Sequence, residues 1–157
     1  MLKIPSKWSV WLSMALSVVF FGVCIAGAVI MPSLVTLLID LPDTIGDRDA
    51  ITDGGRVMVL VLAYMALVAM MLADALLFWL LQRVRRGEVF TATSVSLIRG
   101  VSWCCFLLSA VFCGLGIYFQ LAFIVAIMAV FLGLCLRVVK NVIEEATLIK
   151  SENDLTV

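Results

Sequence analysis

The side chain with the strongest claim to chemistry is Asp74. It is the single charge between Val57 and Gln82, a run of 26 residues. A charged group at the centre of a membrane helix costs on the order of 2.5–3.5 kcal/mol on insertion scales, so it is expected to face protein or water. Asp74 lies nine residues before Arg83, about 13.5 Å inward at helical rise. Ser17 stands ten residues after Lys7 and Ser109 ten residues after Arg99. In nearly parallel spans all three share one depth, which predicts a polar contact between Asp74 and Ser17 or Ser109. Such a carboxyl either ties helices together or serves as a proton or cation site, and the residues leave both roles open.

Other candidates for chemistry are weaker. The sequence has no His, which removes the usual neutral-pH base and the commonest metal ligand. Cys24, Cys104, Cys105, Cys113 and Cys135 all sit in apolar runs with no CxxC pair, the pattern of small hydrophobic packing residues. Asp47 and Asp49 alternate as in a calcium loop, but Ile51 stands at the fifth position and no Glu follows at the required spacing, so the EF-hand pattern fails. Met58, Met65, Met70 and Met71 read as packing. No phosphate loop, nucleophile elbow or zinc-protease motif is present. The expectation is a protein with no catalytic residues, no cofactor and no metal.

The elements that must position Asp74 follow from hydropathy. Of 157 residues, 64% are hydrophobic and 14% charged, against about 25% charged in ordinary soluble domains. Val101–Leu136 holds 36 residues without a formal charge. A straight helix of that length would run about 54 Å, whereas a bilayer core is about 30 Å thick. The chain must turn back, and Gly114, Gly116 and Gln120 mark the turn. The fold expected is an all-α integral membrane protein forming one four-helix bundle. Its transmembrane helices fall near 10–31, 57–82, 97–117 and 121–142. Pro32 should end or kink the first helix near Met31, with 33–39 continuing at the outer face. Ala26-Gly27-Ala28 resembles a signal cleavage site, but the apolar stretch exceeds the length typical of signals, and retention is expected. Residues 40–56 read as a solvated acidic external loop, 83–99 as a cytosolic loop and 143–157 as a cytosolic tail. Within the loop, Thr91 or Thr93 can cap a short amphipathic helix lying on the membrane surface.

Orientation comes from the cations. Two lie at the N-terminus, four in 83–99 and three from Arg137 onward, leaving two in 40–56. The positive-inside rule places both termini in the cytoplasm. Arg83, Arg85 and Arg86 then set topology and touch anionic headgroups, or form a docking surface for a cytosolic protein. Direct nucleic-acid binding is not expected, because the basic cluster is short and lacks a recognition helix. In the tail, Val138/Val139, Val142/Ile143, Ala146 and Ile149 recur at helical spacing, with Lys140, Glu144 and Thr147 opposite. An exposed stripe of that kind needs cover, from a partner or from the 87–99 segment. Ser151, Asn153 and Asp154 should break the helix, leaving Leu155-Thr156-Val157 extended. Gly22-xxx-Ala26 permits helix association and homo-oligomers.

The segments RRGEVFTATSVSLIRGV and VVKNVIEEATLIKSENDLTV resemble the DUF2975 family of small bacterial membrane proteins. The matching positions are Gly87, Phe90, Leu97, Arg99, Glu144, Glu145, Glu152, Asn153, Asp154, Leu155, Thr156 and Val157. The end signature is distinctive and the loop match looser, with Ser94 where many members carry Asn. No family motif is recognised in the acidic 40–56 loop, so the resemblance is expected to rest on the later segments. The resemblance implies a multi-pass protein of the bacterial cytoplasmic membrane with no established reaction. Members are often encoded beside a small Cro/CI-type helix-turn-helix regulator, which implies a membrane-bound partner or antagonist of that regulator. The function expected is therefore non-enzymatic regulation or sensing. Its partner-binding residues would be Arg83, Arg85, Arg86, Phe90, Arg99, Glu144, Glu145, Asn153, Asp154 and Leu155. The alternative is a small transporter, ion-handling or immunity protein that uses Asp74.

Overall fold

A computed structural model describes residues 6–40, 53–87 and 91–154. They form four helices: α1 Ser6–Asp40, α2 Asp53–Arg85, α3 Ala92–Gly116 and α4 Gln120–Asp154. The shortest has 25 residues, about 38 Å at helical rise, so each exceeds the bilayer core. All four are long and apolar enough to cross a membrane. Their outer faces are apolar, with Leu12, Val29, Ile127 and Val142 each more than half exposed, as a lipid-facing surface requires. The chain is a multi-pass membrane protein.

Each helix packs antiparallel on the next. Ser17 meets Asp74 while Ala28 meets Tyr64 across α1 and α2. Leu76 lies against Gly100 and Leu62 against Gly114 across α2 and α3. The most extensive packing is α3 on α4. Ala122, Ala126, Ala129 and Gly133 recur every three or four residues on α4, and all are buried. Small side chains at that spacing let two backbones come together. The Ser102 hydroxyl reaches across and donates to the Gly133 carbonyl at 2.9 Å. A Cβ at Gly133 would stand 3.3 Å from Cys105 and Phe106.

The expected turn between α3 and α4 is present. The Tyr118 and Phe119 amides bond to the Leu115 carbonyl, and the Phe123 ring lies over Gly116, 2.8 Å from where a Cβ would be. Near this end Val35, Val59, Ala66, Val111, Leu115 and Ala122 form the apolar core, drawn from all four helices.

Several boundaries differ from those expected. Helix α1 does not end near Met31 but runs through Pro32 to Asp40. A proline in a helix leaves the carbonyl four residues earlier without its amide, here that of Ala28. The Tyr64 hydroxyl of α2 donates to that carbonyl at 3.1 Å. Neighbouring helices often supply such replacement bonds in membranes. The surface helix expected within 83–99 is instead the opening of α3. Thr91 caps it by accepting the Ser94 amide, and Ser94, Val95, Leu97 and Ile98 are buried in the same continuous helix as Val101. Residues 151–154 likewise prolong α4 instead of breaking it at Ser151, because a helix already nucleated adds further residues cheaply. Gly22 has nothing within 4 Å of its Cβ position and Ala26 is exposed, so among the described residues no helix packs at Gly22-xxx-Ala26. The acidic loop, apart from its edges at Asp40 and 53–56, and residues 155–157 lie outside the described residues.

Candidate functional site

Two regions hold the residues singled out by sequence. The first is the middle of the α1–α2 seam. Asp74 is buried, with 7% of its surface exposed, and Ser17 is buried with it. The Ser17 hydroxyl donates to Asp74 Oδ1 at 2.7 Å. Both residues face inward, whereas their sequence neighbours Leu16, Val18, Leu72 and Leu77 are exposed. Ser109, the other candidate, is buried on α3, and Asp74 takes its bond from Ser17.

Asp74 also lines two openings on either side of the seam. The larger is a cleft of about 580 Å³ between α1, α2 and α3, walled by Ser13, Phe20, Met70, Leu77, Cys104 and Leu108 among others. The smaller, about 290 Å³, lies between Val18, Phe21, Ala75 and Phe78. Among the described residues no Lys or Arg borders either opening. Another cleft of about 580 Å³ lies toward the 116–120 turn, and its wall has no charged side chain. Among the described residues no three His, Cys, Asp or Glu side chains converge on a metal site. Thus Asp74 offers a hydrogen-bond acceptor in a greasy slot whose other polar groups are the Ser13 and Ser17 hydroxyls and the Cys104 and Cys105 thiols.

The second region is the end of the bundle where Arg83 lies. Arg83 and Arg85 close α2, and Arg86 begins the turn after it. Gly87, at φ 81°, lets the chain leave the helix, and its amide bonds to the Val84 carbonyl at 3.0 Å. That left-handed conformation is one only Gly adopts cheaply. Arg83 is half-buried and engaged, while Arg85, Arg86 and Arg99 are exposed. Phe90 and Leu155 lie outside the described residues. Asn153 and Asp154 belong to the last turn of α4.

The outer part of α4 splits the apolar stripe read from its hydropathy: Ile143 and Ala146 are half-buried, while Val139 is exposed. Val138, Val142 and Ile149 are each more than 60% exposed, while Lys140, Glu144 and Thr147 are half-buried. Helix phase explains this. The buried seam through Ala126, Ala129 and Gly133 continues along the same face to Lys140, Glu144 and Thr147. Close packing at Ala126, Ala129 and Gly133 therefore sets which side turns inward further along the helix. Lys140 pairs with Glu144 one turn on, and the Arg99 charge on α3 acts on Glu144 as well. Glu145 is exposed. Sequence reading overlooked Arg137, whose guanidinium lies 5.4 Å from the Trp103 ring centre and 5.6 Å from that of Phe106. An Arg at the end of an apolar run beside an α3 aromatic was the available signal, since cation–π contact suits that pair.

A family model described as "Protein of unknown function (DUF2975)" matches residues 44–157. No curated protein and no solved structure matches the chain.

Proposed function

We propose, for a chain that belongs to the DUF2975 family, a non-enzymatic regulatory or sensing role in the bacterial cytoplasmic membrane. Both termini lie in the cytoplasm in this reading, supported by the excess of cations at the Arg83 end. The cytosolic face docks a helix-turn-helix regulator, the partner class implied by the family resemblance. The observation that carries the reading is the outward stripe of Val138, Val142 and Ile149. It extends past Arg137, the first charged residue of α4, and Arg85, Arg86 and Arg99 are exposed as well. An apolar row rimmed by charge beyond a span is a surface suited to a protein partner.

The test is affinity capture of the full chain from its own cells, with the regulator identified by mass. Val142→Glu and Ile149→Glu point away from the rest of the protein, so the fold is expected to survive them. Recovery of a helix-turn-helix protein with the wild type and its loss with these variants is the expected result. Recovery undiminished in both variants overturns the role of this face.

A second reading rests on the Ser17–Asp74 pair in its cleft. It makes the chain a small transporter, ion-handling or immunity protein. Asp74→Asn in a folded protein with unchanged biological activity would dismiss it.

A further inference from the structure

We infer that the cleft between α1, α2 and α3 is a binding site for a hydrophobic amine, whose ammonium pairs with the Asp74 carboxylate. The inference sharpens the intramembrane reading and does not depend on the cytosolic partner.

Three observations carry it. The carboxylate is buried but not spent: Ser17 supplies one hydrogen bond, to Oδ1, and Asp74 also borders the cleft. No described Lys or Arg borders the cleft, so the positive partner of the carboxylate is supplied by the occupant and not by the wall. A charge-assisted bond in such surroundings is about twice as strong as a neutral one. The remaining wall is apolar and long. It runs from the level of Ala69 to that of Leu81 on α2, about 18 Å at helical rise, and its volume falls in the range of about 300–1,000 Å³ typical of small-molecule sites. That form suits an alkyl or aryl chain laid along the helices with one cationic head at mid-depth. The cleft at the 116–120 turn has the same volume and no charge, which makes it an internal control for greasy binding alone.

The experiment uses the full chain in phosphatidylcholine nanodiscs with dodecylamine and dodecanol, which share a chain and differ in head group. Two readouts are taken: the thermal unfolding midpoint, and alkylation of Cys104 and Cys105 by N-ethylmaleimide, located by peptide mass. Both thiols border the cleft, whereas Cys24 borders the control cleft. Dodecylamine is expected to raise the midpoint and protect Cys104 and Cys105 at concentrations at least about tenfold lower than dodecanol, the advantage of a charge-assisted bond. Asp74→Asn is expected to erase that difference. Should Asp74→Asn fail to fold, Ala73→Leu keeps the carboxylate, fills the cleft and is expected to abolish protection by the amine. Equal potency of amine and alcohol in the wild type overturns the proposal, since it means occupancy by an apolar chain alone. Amine selectivity persisting in Asp74→Asn, or in Ala73→Leu, overturns it too.

Discussion

The α3–α4 seam carries Ser102, Ala122, Ala126, Ala129 and Gly133, and the two backbones come close enough for a hydroxyl to reach a main-chain carbonyl. The α1–α2 seam carries Asp74, Ser17 and Tyr64, and openings flank its central hydrogen bond. Without a hydrophobic driving force between helices in lipid, both close packing and polar contacts can hold a pair together. In the first seam small side chains bring the backbones together around Ser102 and Gly133. The second keeps a carboxyl group beside open clefts, an arrangement that stability alone does not require. The contrast teaches where to look for function inside the membrane.

The contrast can be broken in order of effect. Gly133→Leu drives a branched side chain into Cys105 and Phe106. A loss of about 1–3 kcal/mol is expected, as for overpacked cores, read by unfolding in mixed micelles. A loss no larger than that of a lipid-facing substitution would show that α3 and α4 are not tightly joined. Next, a double-mutant cycle of Ser17→Ala and Asp74→Asn should give a coupling energy of about 1–2 kcal/mol, at the upper end for bonds between membrane helices. Additive losses would remove the pair from the seam's stabilising contacts.

Tyr64→Phe should cost about 0.6 kcal/mol and at most about 1.7, because it leaves the Ala28 carbonyl unpaired. The loss should largely vanish in a Pro32→Ala background, where residue 32 regains an amide for that carbonyl. A full loss in both backgrounds would dissociate Tyr64 from the proline. The smallest effect is expected for Gly22→Leu, within about 0.5 kcal/mol, since nothing lies within 4 Å of that Cβ position. A large destabilisation in the monomeric protein would refute the outward placement of that face. A change confined to the association state would instead assign the Gly22 face to contact between copies.

Parts of the fold and site were legible in the chain because their cause is local or one-dimensional. Thr91 as a cap, Gly116 near the turn and the uncharged run through Leu136 depend on short-range chemistry or on length against bilayer thickness. The shared depth of Asp74 and Ser17 came from counting residues to the nearest cation, which works because all spans meet the same two interfaces. Pro32 misled because its cost is met by Tyr64, 32 positions further along the chain. The segment before Val101 looked like a separate surface helix because its burial depends on packing from other helices.

Sequence alone determined that this chain crosses lipid in several passes, turns back between α3 and α4, and carries one intramembrane carboxyl. Those properties follow from the cost of charge and of unpaired backbone in hydrocarbon. Only the tertiary structure decided that Ser17 and not Ser109 meets Asp74, that a cleft opens beside them, and which face of outer α4 turns inward. Those outcomes depend on helix rotation, and rotation is set where the small seam of α4 locks against α3, with a rigid helix carrying that phase to residues far from the contact.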